Sequence, residues 1–332
     1  MKKTILKYGV FLMILTMVVT GCTPAASTEE EDSQEIAAEI IEKDPIKVFA
    51  SFYPFYDFAK KVGGDLADVQ VVVSEGADPH SFEPSPRLIA DIEAADVFIY
   101  NGLGMEPWVD GVLEILKNKD VIIIEASEGL ELIKFDDHDH DHDHHHHDHE
   151  DHHHHDQGEY DPHIWVDPIN AKDISEKIKD AFVKIDAENT DNYEESFSMF
   201  QKDLEALDKA FREALENIQE KKMLVSHSAF GYLANRYGIE EIAVAGVSPH
   251  AEPSPGRLAE LTKKARENNL EYIFFEVLAN PKTAEVLANE ADLKPLILYN
   301  MEGLTKELRE AGEDYVSLMY KNLETLKKAL VK

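Results

Sequence analysis

The 332-residue chain carries 16 histidines, and they fall into two groups. Twelve lie in one run, Asp136–Asp156, which contains only His, Asp and Glu. They are His138, His140, His142, His144, His145, His146, His147, His149, His152, His153, His154 and His155. Imidazoles suit zinc, copper and nickel, and the interleaved carboxylates draw cations in. A stretch of this composition cannot build a core element, so it is read as a loop. Structurally its composition reads as a solvated acidic linker. Chemically it should offer several weak, exchangeable metal sites, because a flexible loop cannot impose one geometry. Those sites should weaken as pH falls through the imidazole range, since ligation needs neutral histidine.

The other four are His80, His163, His227 and His250. Two occur in the same tripeptide, Asp78-Pro79-His80 and Asp161-Pro162-His163. Proline fixes its own φ and biases the preceding residue to extended backbone, so each histidine is presented from a stiff turn. His227 ends the apolar run Lys222–Ser226, just before a helical pattern begins. Ligand sites in open α/β sheets lie at such carboxyl ends of strands. Any one of these histidines could be structural; three in strand-end loops point to a metal site. A fourth donor should be oxygen or nitrogen. Glu302 follows the last apolar run, Leu296–Tyr299, while Glu276 and His250 are the alternatives. A zinc hydrolase is the competing class, since three histidines and a water, with Glu302 as base, would be catalytic. The chain has no His-Glu-x-x-His helix, no Gly-rich phosphate loop and no Gly-x-Ser-x-Gly elbow. Ser226-His227-Ser228 is no triad, because neighbours on a strand point apart. No catalytic residue and no resident organic cofactor is expected.

These residues need a frame. Short apolar runs at Ile46–Phe52, Val69–Ser74, Asp96–Asn101 and Val121–Ala126 read as strands. A second set covers Lys222–His227, Glu241–Gly246, Tyr272–Val277 and Leu296–Tyr299. Near-continuous apolar runs belong to strands covered on both faces. Helical patterns lie between them, among them Pro86–Ala95, Phe230–Tyr237, Pro255–Asn268 and Pro281–Ala291. Four strands, a helical break and four strands imply an α/β fold of two lobes with mainly parallel sheets. In the break, Thr190 to about Glu220, apolar residues from Tyr193 to Ile218 recur every three or four positions, one face of a single helix. About 28 residues at 1.5 Å each make a rod of roughly 40 Å, read as a rigid strut between the lobes. The expected division is 46–188 for the first lobe, 189–220 for the linking helix and 221–332 for the second lobe. A faint repeat links His80–Arg87 (HSFEPSPR) with His250–Arg257 (HAEPSPGR), each opening a helix with a proline.

Outside the folded part, Lys2 and Lys3 precede an apolar run, Tyr8–Val19, and then Thr20-Gly21-Cys22. The run is too short for a spanning helix, which needs about 20 residues, and reads as a secretory signal over 1–21. Val19-Thr20-Gly21-Cys22 resembles a bacterial lipobox, and Cys22 is the only cysteine. Lipid on Cys22 would tether the mature chain to the extracytoplasmic face of the cell membrane. Residues 22–45, with Glu29-Glu30-Glu31-Asp32, read as an acidic flexible tether. One cysteine excludes an intramolecular disulfide and any multi-cysteine metal site. A formal net charge of -33 makes nucleic acid and anionic membrane surfaces poor partners.

Four segments, DPHSFEPSP from Asp78, DPHIWVDP from Asp161, SHSAFGYLANRYG from Ser226 and NMEGLT from Asn300, give a specific resemblance. The sequence resembles the zinc-binding lipoproteins of bacterial ABC metal transporters, the ZnuA/AdcA-like members of cluster A-I, over nearly all of 46–332. The acidic-histidine run before the second motif is also typical of them. The resemblance implies two lobes, each with a mainly four-stranded parallel sheet, joined by one long helix, with metal in the cleft between them. It implies His80, His163, His227 and Glu302 as ligands, and leaves His250 outside the set. Three imidazoles and a carboxylate suit tetrahedral Zn²⁺. Manganese relatives place a carboxylate where this chain has His227, so Mn²⁺ is the weaker expectation. The implied role is zinc capture and delivery to an ABC permease with its cytoplasmic ATPase, by a protein expected to be monomeric. A metal-dependent surface adhesin is the other class that the resemblance admits.

Overall fold

The computed structural model describes residues 44–134, 159–219, 221–246, 254–278 and 282–331. Cys22, residues 1–43, the histidine-rich run and His250 lie outside the described residues.

Among the described residues, eight strands form two four-stranded sheets, and all pairings within the sheets are parallel. The first sheet holds β1 (Ile46–Ala50), β2 (Ala67–Val71), β3 (Val97–Tyr100) and β4 (Ile122–Glu125), in the order β2-β1-β3-β4. The second holds β5 (Lys222–His227), β6 (Glu240–Ala245), β7 (Tyr272–Phe275) and β8 (Lys294–Ile297), in the order β6-β5-β7-β8. The apolar runs thus mark the strands to within a few residues. β2 is the largest shift: its ladder with β1 runs from Ala67 to Val71, so the strand begins and ends two to three residues before its apolar run Val69–Ser74.

Side-chain alternation explains why the strands read as unbroken apolar runs. In the first sheet Val48, Ala50, Val97, Ile99 and Ile124 face a core shared by both halves of the chain. Phe49, Phe98 and Tyr100 face an outer cluster under α2 (Pro86–Glu93) and α3 (Val109–Leu116). In the second sheet Met223, Val225 and Phe274 join the shared core. Leu224, Ile242, Val244 and Ile273 face the opposite cluster, under α7 (Pro255–Glu267) and α8 (Lys282–Ala291).

The long helix is α5, Thr190–Leu215, 26 residues and therefore about 39 Å. It stops short of Glu220 because the chain must turn into β5 at Lys222, although Ile218 still packs on the core. Tyr193, Phe197, Phe200, Leu204, Leu207, Phe211 and Leu215 are all buried along one face. α5 does not stand alone. It packs with α1 (Tyr53–Gly63), α4 (Pro168–Ile185) and α10 (Tyr315–Leu330). Phe58 of α1 meets Phe200 and, edge-on at 4.9 Å, Tyr315 of α10. The bracing is thus a continuous aromatic core that includes the last helix of the chain, and burial of this kind resists wide hinge opening.

The two Glu-Pro-Ser-Pro segments do the same local work. Ser85 accepts a hydrogen bond from Leu88 N, and Ser254 from Arg257 N, so each caps a helix that opens on proline.

Candidate metal centre

Each of the four residues singled out comes from a strand end or from the loop beyond it. His80 stands in the loop after β2, and His163 in the loop before α4. His227 is the last residue of β5, and Glu302 follows β8. The two Asp-Pro-His turns close alike: His80 N donates to Asp78 Oδ1 and His163 N to Asp161 Oδ1, both at 2.9 Å. Proline between them restricts the loop, and the aspartate fixes where the histidine backbone points. Glu302 is aimed by strain. Met301, buried, has φ 58°, a left-handed conformation that costs a bulky residue about 1–3 kcal/mol and persists where packing enforces it. Asn300 adds a hydrogen bond from Glu302 N to its Oδ1 at 3.2 Å.

These elements bring His80, His163, His227 and Glu302 together, with one donor atom of each within 4.8 Å of the others. Glu302 Oε1 lies 3.3 Å from His80 Nε2, 3.4 Å from His163 Nε2 and 3.6 Å from His227 Nε2. A tetrahedron with metal–nitrogen bonds of about 2.0–2.1 Å has edges of about 3.3 Å, so the spacing fits a tetrahedral ion. The Nε2 atoms of His163 and His227 are buried and make no hydrogen bond. Buried polar atoms are ordinarily satisfied, so these two await a ligand. His163, His227 and Glu302 are almost fully enclosed, whereas the His80 side chain is 12% exposed.

The Nδ1 side of the rings is braced by carboxylates. His163 Nδ1 lies 2.7 Å from Asp161 Oδ1. His227 Nδ1 lies 2.5 Å from Glu276 Oε2, as an ion-pair contact whose angle falls short of a hydrogen bond. Parallel pairing of β5 with β7 places Glu276 beside His227. Glu276 is in turn held by Ser226 Oγ at 2.7 Å and Asn300 Nδ2 at 3.0 Å. Glu276, one of the alternatives for the fourth donor, therefore faces Nδ1 of His227, while Glu302 faces the Nε2 atoms. A carboxylate on the far nitrogen fixes the tautomer and raises the basicity of the near one. Sequence reasoning gave no role to Asp161 or Asn300. The one signal for Asp161 was its place two residues before a histidine.

Charges follow from this packing. Burial opposes the imidazolium of His163, but Asp161 and Glu302 outweigh it and push its pKa to about 9. His227 is likewise held well above its ordinary value, with Glu276 and Glu302 overcoming burial. Burial would raise Glu302, yet the three imidazoles hold it well below the usual carboxylate range. The Glu302 carboxylate is thus held charged beside the raised His163 and His227 rings, a charge pattern that a divalent cation can replace.

The two halves also meet around this loop. Trp165 Nε1 donates to Asn300 O at 2.6 Å, and Tyr315 OH donates to Trp165 O at 2.7 Å. His163 and Glu302 are therefore positioned relative to each other by a buried bridge.

Residues 48–329 match the family model described as "Zinc-uptake complex component A periplasmic", ZnuA. The chain is 39% identical over 288 residues to the zinc-binding lipoprotein AdcA of Streptococcus pneumoniae, covering 85% of this chain but 55% of that protein. It thus spans about half the length of that curated relative. It is 35% identical over 315 residues to the high-affinity zinc uptake system protein ZnuA of Bacillus subtilis, covering 95% of this chain and 94% of that one. Among solved structures, the Zn(II)-bound ZnuA-like domain of S. pneumoniae AdcA superposes with a TM-score of 0.73 at 36% identity, covering 87% of this chain and all of that domain. Fold, motif order and sequence agree, and the chain belongs to the ZnuA family of zinc-uptake components.

Proposed function

We propose that this protein captures Zn²⁺ between its two lobes and delivers it to an ABC permease for zinc uptake, without catalysing a reaction. The observation that carries the reading is the closure of three Nε2 atoms around Glu302 Oε1 at 3.3–3.6 Å. His80, His163, His227 and Glu302 are the ligands in this reading, with Zn²⁺ as cargo. Three imidazole donors favour zinc over manganese, which prefers oxygen. A fourth protein donor closes the coordination sphere and leaves no place for an activated water, which separates the site from a zinc hydrolase. The family's description as an uptake component and the zinc-named relatives support the same role. Entry and release run past His80, the partly exposed ligand. The division into lobes 46–188 and 221–332 around helix 189–220 belongs to the same reading, as do a monomeric state and a lipid anchor on Cys22. The histidine-rich run serves as an auxiliary collector of metal.

The test is metal competition. The full chain is stripped with chelator, offered equimolar Zn²⁺ and Mn²⁺, and the retained metal is measured. Wild type is compared with a deletion of residues 136–156 and with His227→Ala. One tightly held zinc that survives the deletion and is lost in His227→Ala is the expected result. Zinc that leaves with the deleted run and ignores His227→Ala refutes capture in the cleft.

A further inference from the structure

The His163 arm is held from the other half of the chain. Asp161 Oδ1 takes both the backbone N–H of His163 and its ring Nδ1, so Asp161 sets the position and the rotation of the imidazole. Asp161 itself is held through its backbone. Its N–H donates to Ile133 O at 2.8 Å, and its carbonyl accepts from Tyr232 OH at 2.9 Å. The same hydroxyl accepts from Ile133 N at 3.2 Å. One phenol oxygen thus closes a ring of hydrogen bonds around the two stretches that meet beside the ligand.

Tyr232 is buried and lies on α6 (Gly231–Tyr237), in the second half of the chain. The residue before it permits this approach, since a Cβ on Gly231 would collide with Asp161 Oδ2. Just beyond Ile133, Lys134 pairs with Tyr160 in an antiparallel bridge, and its Nζ meets Glu159 Oε1 at 2.5 Å. The described residues flanking 135–158 therefore converge on the oxygen that supports Asp161. The Tyr232 hydroxyl reaches the arm at Asp161 O and Ile133 N, so its effect on metal is expected to pass through Asp161.

We propose that Tyr232 is a positioning residue for His163: its hydroxyl, shared between Ile133 N and Asp161 O, fixes the Asp161-Pro162-His163 arm from the opposite lobe and ties the flanks of the histidine-rich run to that arm. The proposal rests on the reading of His163 as a zinc ligand. Partners one shell out from a metal ligand typically change affinity 10–100-fold. The effect of Tyr232 passes through Asp161, so about tenfold is expected from its loss.

The experiment measures zinc affinity and dissociation rate on the full chain, and the visible absorption of the Co²⁺-loaded protein. The variants are Tyr232→Phe, His163→Ala and Tyr193→Phe. Tyr193→Phe is the control, because it also deletes a buried hydroxyl, bonded to Asp186 Oδ2 at 3.0 Å, but away from the cleft. Tyr232→Phe should bind zinc about tenfold more weakly, release it faster and shift the Co²⁺ spectrum, which reports ligand geometry. Tyr193→Phe should lower only the melting temperature. Gly231→Ala pushes α6 off Asp161 without removing a hydrogen-bonding group, and the same affinity loss and spectral shift are expected of it should Tyr232→Phe not fold. Wild-type affinity and spectrum in the Tyr232 or Gly231 variant, with only a lowered melting temperature, overturn the proposal. Zinc binding untouched by His163→Ala overturns the reading of the site beneath it, a distinct result.

Discussion

Loading the cleft with zinc should expel protons, and the structure sets how many. In the metal-free centre His163 has its pKa pushed to about 9 and His227 is held well above its ordinary value. Near pH 7 both rings are imidazolium. Zinc needs bare Nε2 atoms, so each ring must release its Nε2 proton and keep Nδ1–H toward Asp161 or Glu276. Neutralising a group about two pH units below its pKa costs about 3 kcal/mol, so His163 alone weakens apparent binding about 100-fold at pH 7 relative to pH 9. With two protons displaced, affinity should rise about 100-fold per pH unit through the neutral range. Calorimetric titration of zinc near pH 7, in buffers of different ionisation heat, counts these protons directly, and about two per zinc is the expected value.

The same shift has a stability signature of opposite sign. A histidine whose folded pKa lies above its unfolded value of about 6.5 stabilises the metal-free fold fully below that value. The contribution fades as pH rises from about 6.5 to about 9. Melting of the metal-free chain should therefore ease across this window, while the extra stability conferred by zinc grows. Zinc uptake that releases no protons near pH 7, with an affinity flat across the neutral range, would refute the charge assignment.

Two further outcomes follow from the packing. Glu276→Gln keeps the size of the side chain but removes the charge beside His227 Nδ1, and zinc affinity should fall about 10–100-fold with stoichiometry unchanged, as read by chelator competition. Leu207→Ala opens a cavity in the shared core along α5, and urea unfolding should show a loss of about 2–5 kcal/mol while one zinc per chain is still bound.

Much of this protein is written locally. Val97–Tyr100 and Tyr272–Phe275 read as strands because both of their faces are apolar, and the seven buried positions of α5 read as a helix face because they recur every three or four residues. The Asp-Pro-His turns are local too, since aspartate, proline and histidine close them within three residues. For the same reason three of the four clustered donors could be named from the chain alone. The choice of Glu302 over Glu276 came from the family resemblance and not from local patterning. Both are carboxylates beside strand ends, and nothing within a few residues of either tells which nitrogen it will face. That is decided by the parallel pairing of β5 with β7, which sets Glu276 against Nδ1 of His227, and by the left-handed turn at Met301, which turns Glu302 toward the three Nε2 atoms. The bond from Tyr232 to Asp161 spans 71 residues, and that from Trp165 to Asn300 spans 135. Local patterning fixes which groups a loop offers. Only the burial of both sheets and α5 in one core brings those groups within bonding distance, because that distance is set by packing between elements far apart in the chain.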